Sequence, residues 1–256
     1  MFYHKAIYVI VLREFMRFFR QKGRMLVTIA RPLIWLLIVG AGFTNIINLE
    51  NQSASYMQFV VPGILGMTIL FSSIFSTMSV VWDREFGFLR EMLVAPVPRT
   101  AIVMGKLLSG TMLSLFQASL LLFLVAPFLG IEITIKGAVL MIFYMALLSF
   151  AITSLGLFIA AHLTSLEGFN VIMNFIVLPM FFLSGALYPI SSMPQYVKYF
   201  TYINPMSYGV DSFRHVLTVG GEKLGSELNL YIDIVFLLVF TLVMISFAAF
   251  SFERKK

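Results

Sequence analysis

The chain is 256 residues long, 60% hydrophobic and only 12% charged, with a formal net charge of +6 and a mean hydropathy of +0.94. A soluble domain of this size carries about twice that charged fraction, so composition excludes a soluble globular protein and predicts a single all-α membrane domain. There is no cysteine, which excludes disulfides and thiolate metal sites. His4, His162 and His215 are scattered and show no ligand spacing.

Residues 5–24 have the length of a span but the wrong pattern. At 100° per residue Arg13, Arg17, Arg20 and Arg24 fall on one stripe, and Tyr8, Leu12, Phe15 and Phe19 fall on the opposite face. The pattern predicts an amphipathic helix over 1–24 lying on the cytoplasmic leaflet. The plainer alternative is a positive anchor for the first span. No cleavable signal peptide is expected, because charges interrupt any apolar run there.

A hydrocarbon core about 30 Å thick takes about 20 apolar residues of helix. By that measure the transmembrane domain, 25–253, holds six spans, at about 25–49, 57–82, 107–131, 137–161, 168–190 and 234–252. Lys and Arg concentrate before the first span, between the second and third, and at the C-terminus. The positive-inside rule then places both termini in the cytoplasm, in a multi-pass protein of the bacterial cytoplasmic (inner) membrane. The sequence pI of about 9.6 reflects topology and contact with anionic membrane lipid, and nucleic-acid binding is a poor reading of it.

In the second span Ser72, Ser76 and Ser79 recur at i, i+4 and i+7. Small hydroxylated residues on one face allow close helix packing or line a polar path. Asn170 and Asn174, one turn apart in the fifth span, are costly against lipid and should face another helix or a cavity. Both sets are candidate pathway or dimer-facing residues. Pro179 predicts that the fifth span bends or ends early.

Between the second and third spans lies a charged island, 82–106, reading WDREFGFLREMLVAPVPRTAIVMGK. Phe86, Leu89 and Leu93 recur at i, i+3 and i+7, with Asp83, Arg84, Glu85, Arg90 and Glu91 around the other faces. Acidic residues open this segment and Pro96 and Pro98 close it, so both ends of a short helix over 83–95 are defined. Bulky apolar anchors among charges suit a helix that docks into a partner's groove.

The segment 188–220 is too apolar for a solvated outer loop, and Pro189, Pro194 and Pro205 cut it into pieces. Two short helices dipping into the outer leaflet are predicted, with an aromatic belt as the plainer reading.

Four segments resemble the type-2 ABC export permeases, the family of drug, polysaccharide, lipid and Nod-factor exporters. They are Tyr56-Met57-Gln58-Phe59-Val60-Val61-Pro62-Gly63; Arg84-Glu85-Phe86-Gly87 through Ala95-Pro96-Val97-Pro98-Arg99; Leu183-Ser184-Gly185-Ala186-Leu187-Tyr188-Pro189; and Ile203-Asn204-Pro205-Met206-Ser207-Tyr208-Gly209 with Phe213-Arg214. The resemblance implies a half-transporter that pairs with a second copy of itself above cytoplasmic nucleotide-binding ATPase subunits. It implies that 83–95 is the coupling helix, that 5–24 is the connecting helix, and that Tyr188, Pro189, Asn204, Pro205 and Tyr208 belong to re-entrant helices at an outer gate. The chain contains no G-x-x-x-x-G-K-[ST] loop, so no catalytic role or cofactor is expected here, and ATP and Mg belong on the partner subunit.

Two other classes compete. A secondary carrier or channel needs ionisable groups at membrane depth, and none is expected well inside the second, third, fourth or sixth span. An intramembrane enzyme needs a nucleophile with a base in reach or clustered metal ligands, and no such constellation stands out. A non-transporting membrane adaptor stays open. An amphipathic cargo, a drug, lipid or lipid-linked glycan, suits a membrane interior with few charges.

Overall fold

The computed structural model describes residues 2–43, 55–88, 98–219 and 222–254, and these are overwhelmingly helical. Ten helical segments follow in chain order: α1 (Phe2–Arg20), α2 (Lys22–Trp35), α3 (Ala41–Phe43), α4 (Tyr56–Glu85), α5 (Arg99–Val125), α6 (Ile135–His162), α7 (Leu166–Phe182), α8 (Gln195–Ile203), α9 (Pro205–Arg214) and α10 (Leu230–Arg254). A π-helical stretch, Leu36–Gly40, joins α2 to α3. A two-stranded hairpin, β1 (Thr218–Val219) and β2 (Glu222–Lys223), pairs Thr218 with Lys223.

α4 is the axis of the molecule. Its 30 residues reach about 45 Å, and a capping box starts it: Ser55 Oγ accepts from Gln58 N, and the Gln58 side chain accepts from Ser55 N. Val60, Leu65, Ile69 and Leu70 are wholly buried, with α5 and α6 packed along the helix and α7 and α9 against it. α10 packs on α6, and α1 lies along α5.

Among the described residues four helices are long and apolar enough to cross a membrane: Tyr56–Glu85, Arg99–Val125, Ile135–His162 and Leu230–Phe252. Two further apolar segments, Leu26–Gly40 and Leu166–Phe182, are shorter. The 17 residues of α7 reach about 25 Å, less than the hydrocarbon thickness of about 30 Å.

Two boundaries differ from those drawn on hydropathy. α5 begins at Arg99, not at 107, because Lys106 is neutralised inside the fold and need not mark a membrane edge. α7 ends at Phe182, not at 190. Pro179 lies in its last turn, and Gly185 adopts φ +74° soon after, a left-handed conformation that favours glycine.

α1 also differs in detail. Ile10, Glu14 and Phe18 form a buried i, i+4, i+8 face between the arginine stripe and the aromatic face, and Ile10 sits against Gly105 of α5. Tyr8, Leu12 and Phe19 remain exposed, the arrangement of a helix with one face on protein and another available to lipid.

Candidate functional site

The end of α4 that carries the charged island is organised around a buried ammonium. Lys106 Nζ donates to Asp83 Oδ2 at 2.6 Å, Glu14 Oε1 at 2.7 Å and Ser79 Oγ at 2.9 Å. Arg13 Nη2 donates to the same two carboxylates, at 2.8 Å to Glu14 and 2.7 Å to Asp83. Two cations and two anions thus balance, and α1, α4 and α5 are tied at one point. A buried charge is tolerable only when paired and hydrogen-bonded, as here. Burial alone would raise the Glu14 carboxyl, but the Lys106 ammonium and the Arg13 guanidinium outweigh it and hold Glu14 below the ordinary carboxylate value.

The next two residues reach the other way. Arg84 Nη1 donates to the carbonyls of Leu163 and Ala160, and Glu85 Oε2 accepts from Leu166 N at 3.1 Å. Both therefore grip the turn between α6 and α7. Phe86 follows, 68% exposed, and Gly87 turns the chain at φ +80°. Arg13 and Arg17 lie over the rings of Phe88 and Trp82, at 4.6 and 5.2 Å.

Of the residues assigned to docking, Asp83 points inward and is buried, Arg84 is half-buried, Glu85 is exposed but bonded, and Phe86 faces out. Leu89, Arg90, Glu91 and Leu93 lie outside the described residues.

Immediately beside the cluster, a cavity of about 480 Å³ opens between α1, α2, α4 and α5. Ser72, Ser76 and Ser79 all line it, alongside Phe71, Phe75 and Leu113, with Arg17 and Arg31 among its charged residues. Gln117 adds a buried amide oxygen without a hydrogen-bond partner among the described residues. The lining is amphipathic: aromatic rings, hydroxyls and guanidinium groups. Asn170 and Asn174 are not part of it. They lie on the exposed face of α7 with Val171 and Phe175.

At the far end of α4 three of the four family-like segments meet. Tyr56 OH donates to Leu187 O at 2.8 Å. Gly63 packs so closely on Ala186 that a Cβ there would lie 2.5 Å from the Ala186 carbonyl oxygen. Arg214, 1% exposed, donates to Gly185 O at 2.7 Å and lies 4.2 Å from the centroid of the Phe59 ring.

α9 is buried along its entire length. Pro205 occupies its first turn, where the missing N–H costs nothing, and Asn204 caps it, accepting from Met206 N at 3.0 Å. The same Asn204 donates to Met180 O at 2.6 Å. Tyr208 donates to Tyr202 O at 2.7 Å and stacks on Phe236 at 3.9 Å. Tyr188 OH reaches Phe182 O at 2.9 Å, and Pro189 precedes the 3-10 turn Ile190–Ser192.

Several residues escape a reading of the sequence. Glu14 is hidden as one acid in a basic helix, and Lys106 reads as a boundary. Lys106 lies near the start of α5 and Asp233 in the first turn of α10, each buried close to a helix end rather than well inside a span. His215, isolated in the sequence, has ligating atoms within 4.8 Å of those of Asp211 and Asp233. The i, i+4 spacing of Asp211 and His215 is a legible signal; the approach of Asp233 is not.

The family described as ABC-2 type transporter matches residues 5–218. Similar proteins include one named transport permease ycf38 from Cyanophora paradoxa, 30% identical over 256 residues, covering 94% of this chain and 87% of that one. The inner membrane transport permease YadH of Escherichia coli K12 is 24% identical over 215 residues, 82% of this chain and 81% of that one. A protein of the same organism named as a multidrug ABC transporter permease, YbhR, is 26% identical over 171 residues, 66% of this chain and 46% of that one.

Proposed function

This chain belongs to the ABC-2 type transporter family, and from that premise we propose that it is the membrane permease subunit of an ATP-driven exporter. Two copies pair, separate ATPase subunits holding ATP and Mg dock beneath them, and an amphipathic substrate moves from the cytoplasm or inner leaflet outward. The protein is a multi-pass transport permease. α2 through the π-helical stretch and α7 serve as the two remaining spans. Both termini face the cytoplasm of a bacterial cell, and α8 and α9 are re-entrant at an outer gate.

The observation that carries this reading is the junction at Asp83-Arg84-Glu85. These consecutive residues bond to α1, to α5 and to the α6–α7 turn, directly beside the outward-facing Phe86. A displacement of the docking segment by a closing ATPase pair would act on Asp83, Arg84 and Glu85 and so reach three neighbours of α4. Packed helices shift as rigid bodies rather than deform.

The amphipathic cavity supports the substrate class, because rings, hydroxyls and guanidinium groups together accept a molecule with an apolar body and a polar head. The exposed face of α7 supports the pairing: Asn170 and Asn174 would be costly against lipid, and a second copy would cover them.

The test is export of a fluorescent amphipathic drug from cells, with the chain present, absent, or carrying Phe86→Asp. Loss of export at unchanged protein level supports a permease driven through this segment. Normal export after deletion of residues 83–95 would sink that mechanism. A change confined to the abundance of a partner would instead mark an adaptor.

A further inference from the structure

At the far end of the molecule, away from the ion cluster and the cavity, Asp211 of α9, His215 just after it and Asp233 of α10 bring three metal-ligating side chains together. Their ligating atoms all lie within 4.8 Å of one another. His215 Nε2 is 3.4 Å from Asp211 Oδ2, 4.0 Å from Asp233 Oδ2 and 3.1 Å from the Leu228 carbonyl oxygen. Donor atoms about 2.1 Å from a tetrahedral zinc stand about 3.4 Å apart; the His215–Asp211 pair already has that spacing, and the remaining pairs lie within 4.8 Å.

An independent observation points to a ligand in this space. Asp233 is 0% exposed, and among the described residues neither of its carboxylate oxygens accepts a hydrogen bond. A buried carboxylate without a partner is costly, and one facing a second carboxylate is more so. Among the described residues neither Asp211 nor Asp233 is ion-paired to a lysine or arginine. The nearby Arg214 directs Nη2 to Gly185 O and its guanidinium face to Phe59.

Asp211, by contrast, is oriented as a ligand would need to be. Its Oδ1 accepts from Glu227 N at 2.8 Å and its Oδ2 from Leu228 N at 3.1 Å. Backbone bonds of this kind fix the direction of a ligating carboxylate.

We propose that Asp211, His215 and Asp233, with the Leu228 carbonyl, form a site for a divalent transition cation, zinc being the best fit to one imidazole and two carboxylates. The site joins the wholly buried α9 to the first turn of α10 and to the strap at Glu227 and Leu228. A bound cation would pin these three segments to one another. Its existence does not depend on the transport reading.

The test uses the full-length protein in detergent, stripped with EDTA, freed of chelator and titrated with Zn²⁺ by calorimetry. The expected result is one Zn²⁺ per chain, with affinity lowered at least about tenfold in Asp233→Asn and in His215→Gln. It should be unchanged in a His4→Gln, His162→Gln control that removes the other two histidines. Because the variants could fold poorly, the X-ray absorption spectrum of the zinc-loaded wild type gives a second reading, predicted to show one imidazole among oxygen ligands. No Zn²⁺ uptake by the wild type, uptake unaffected by both variants, or a spectrum without imidazole overturns the proposal and leaves a pair of carboxyls sharing a proton.

Discussion

The Lys106 ammonium lies 2.6 Å from Asp83 Oδ2, and each side chain is less than a tenth exposed. The pair joins the start of α5 to the end of α4, and Glu14 and Arg13 of α1 close the cluster. Removing one partner from such a group leaves an uncompensated charge in the interior, which costs about 3–5 kcal/mol. Lys106→Met or Asp83→Asn alone should therefore lower the thermal midpoint of the purified protein sharply. The double variant should lose less than the sum of the two, and strictly additive losses would show that the pair is not coupled.

Glu14 gives the cluster a pH signature. Its carboxyl is held below the ordinary value of 4.5, so it contributes stability that is fully present above that value and is lost as pH falls through the lower folded-state value. Denaturation midpoints measured from pH 6 downward should fall on the acid side in the wild type. The fall should be shallower in Glu14→Gln, and identical slopes would contradict the assignment.

Gly63 marks a second tight contact. A Cβ would meet the backbone of Ala186 at 2.5 Å, and backbone cannot rotate away as a side chain can, so Gly63→Ala should destabilise by about 1–3 kcal/mol. Gly42, where an added Cβ would find nothing within 4 Å, is the control, and Gly42→Ala should be close to neutral. Equal midpoints for the two variants in a thermal-shift assay would contradict the contact.

Asn204 holds both the start of α9 and the end of α7. Asn204→Ala removes a helix cap, a loss of about 0.5–2 kcal/mol, and also leaves the Met180 carbonyl without that donor. Increased hydrogen exchange should appear at the first turn of α9, and protection equal to that of the wild type would contradict the cap.

The long apolar helices are legible because hydropathy and length alone decide them: α4, α6 and α10 follow directly from uninterrupted apolar runs. Charge is a poorer guide to an edge. Lys106 sits inside α5 because Asp83 and Glu14 neutralise it, and those partners are 23 and 92 positions away, a relation no local pattern contains. The arginine stripe of α1 is visible in the sequence, but its buried face is not. Ile10, Glu14 and Phe18 mix an acid with apolar residues, and only the docking against α5 gives that mixture a meaning. The same holds for the hydroxyl stripe, where spacing places Ser72, Ser76 and Ser79 together but packing alone shows that they line a cavity.

The most direct test is recovery of a nucleotide-binding ATPase with the tagged chain from native membranes in mild detergent. The comparison is with a variant carrying Phe86→Asp and Leu89→Asp. Co-purification of an ATPase with the wild type, and its loss with the variant, is the predicted result. Absence of any ATPase from the wild-type preparation would contradict the ATP-driven account and favour a carrier or an adaptor.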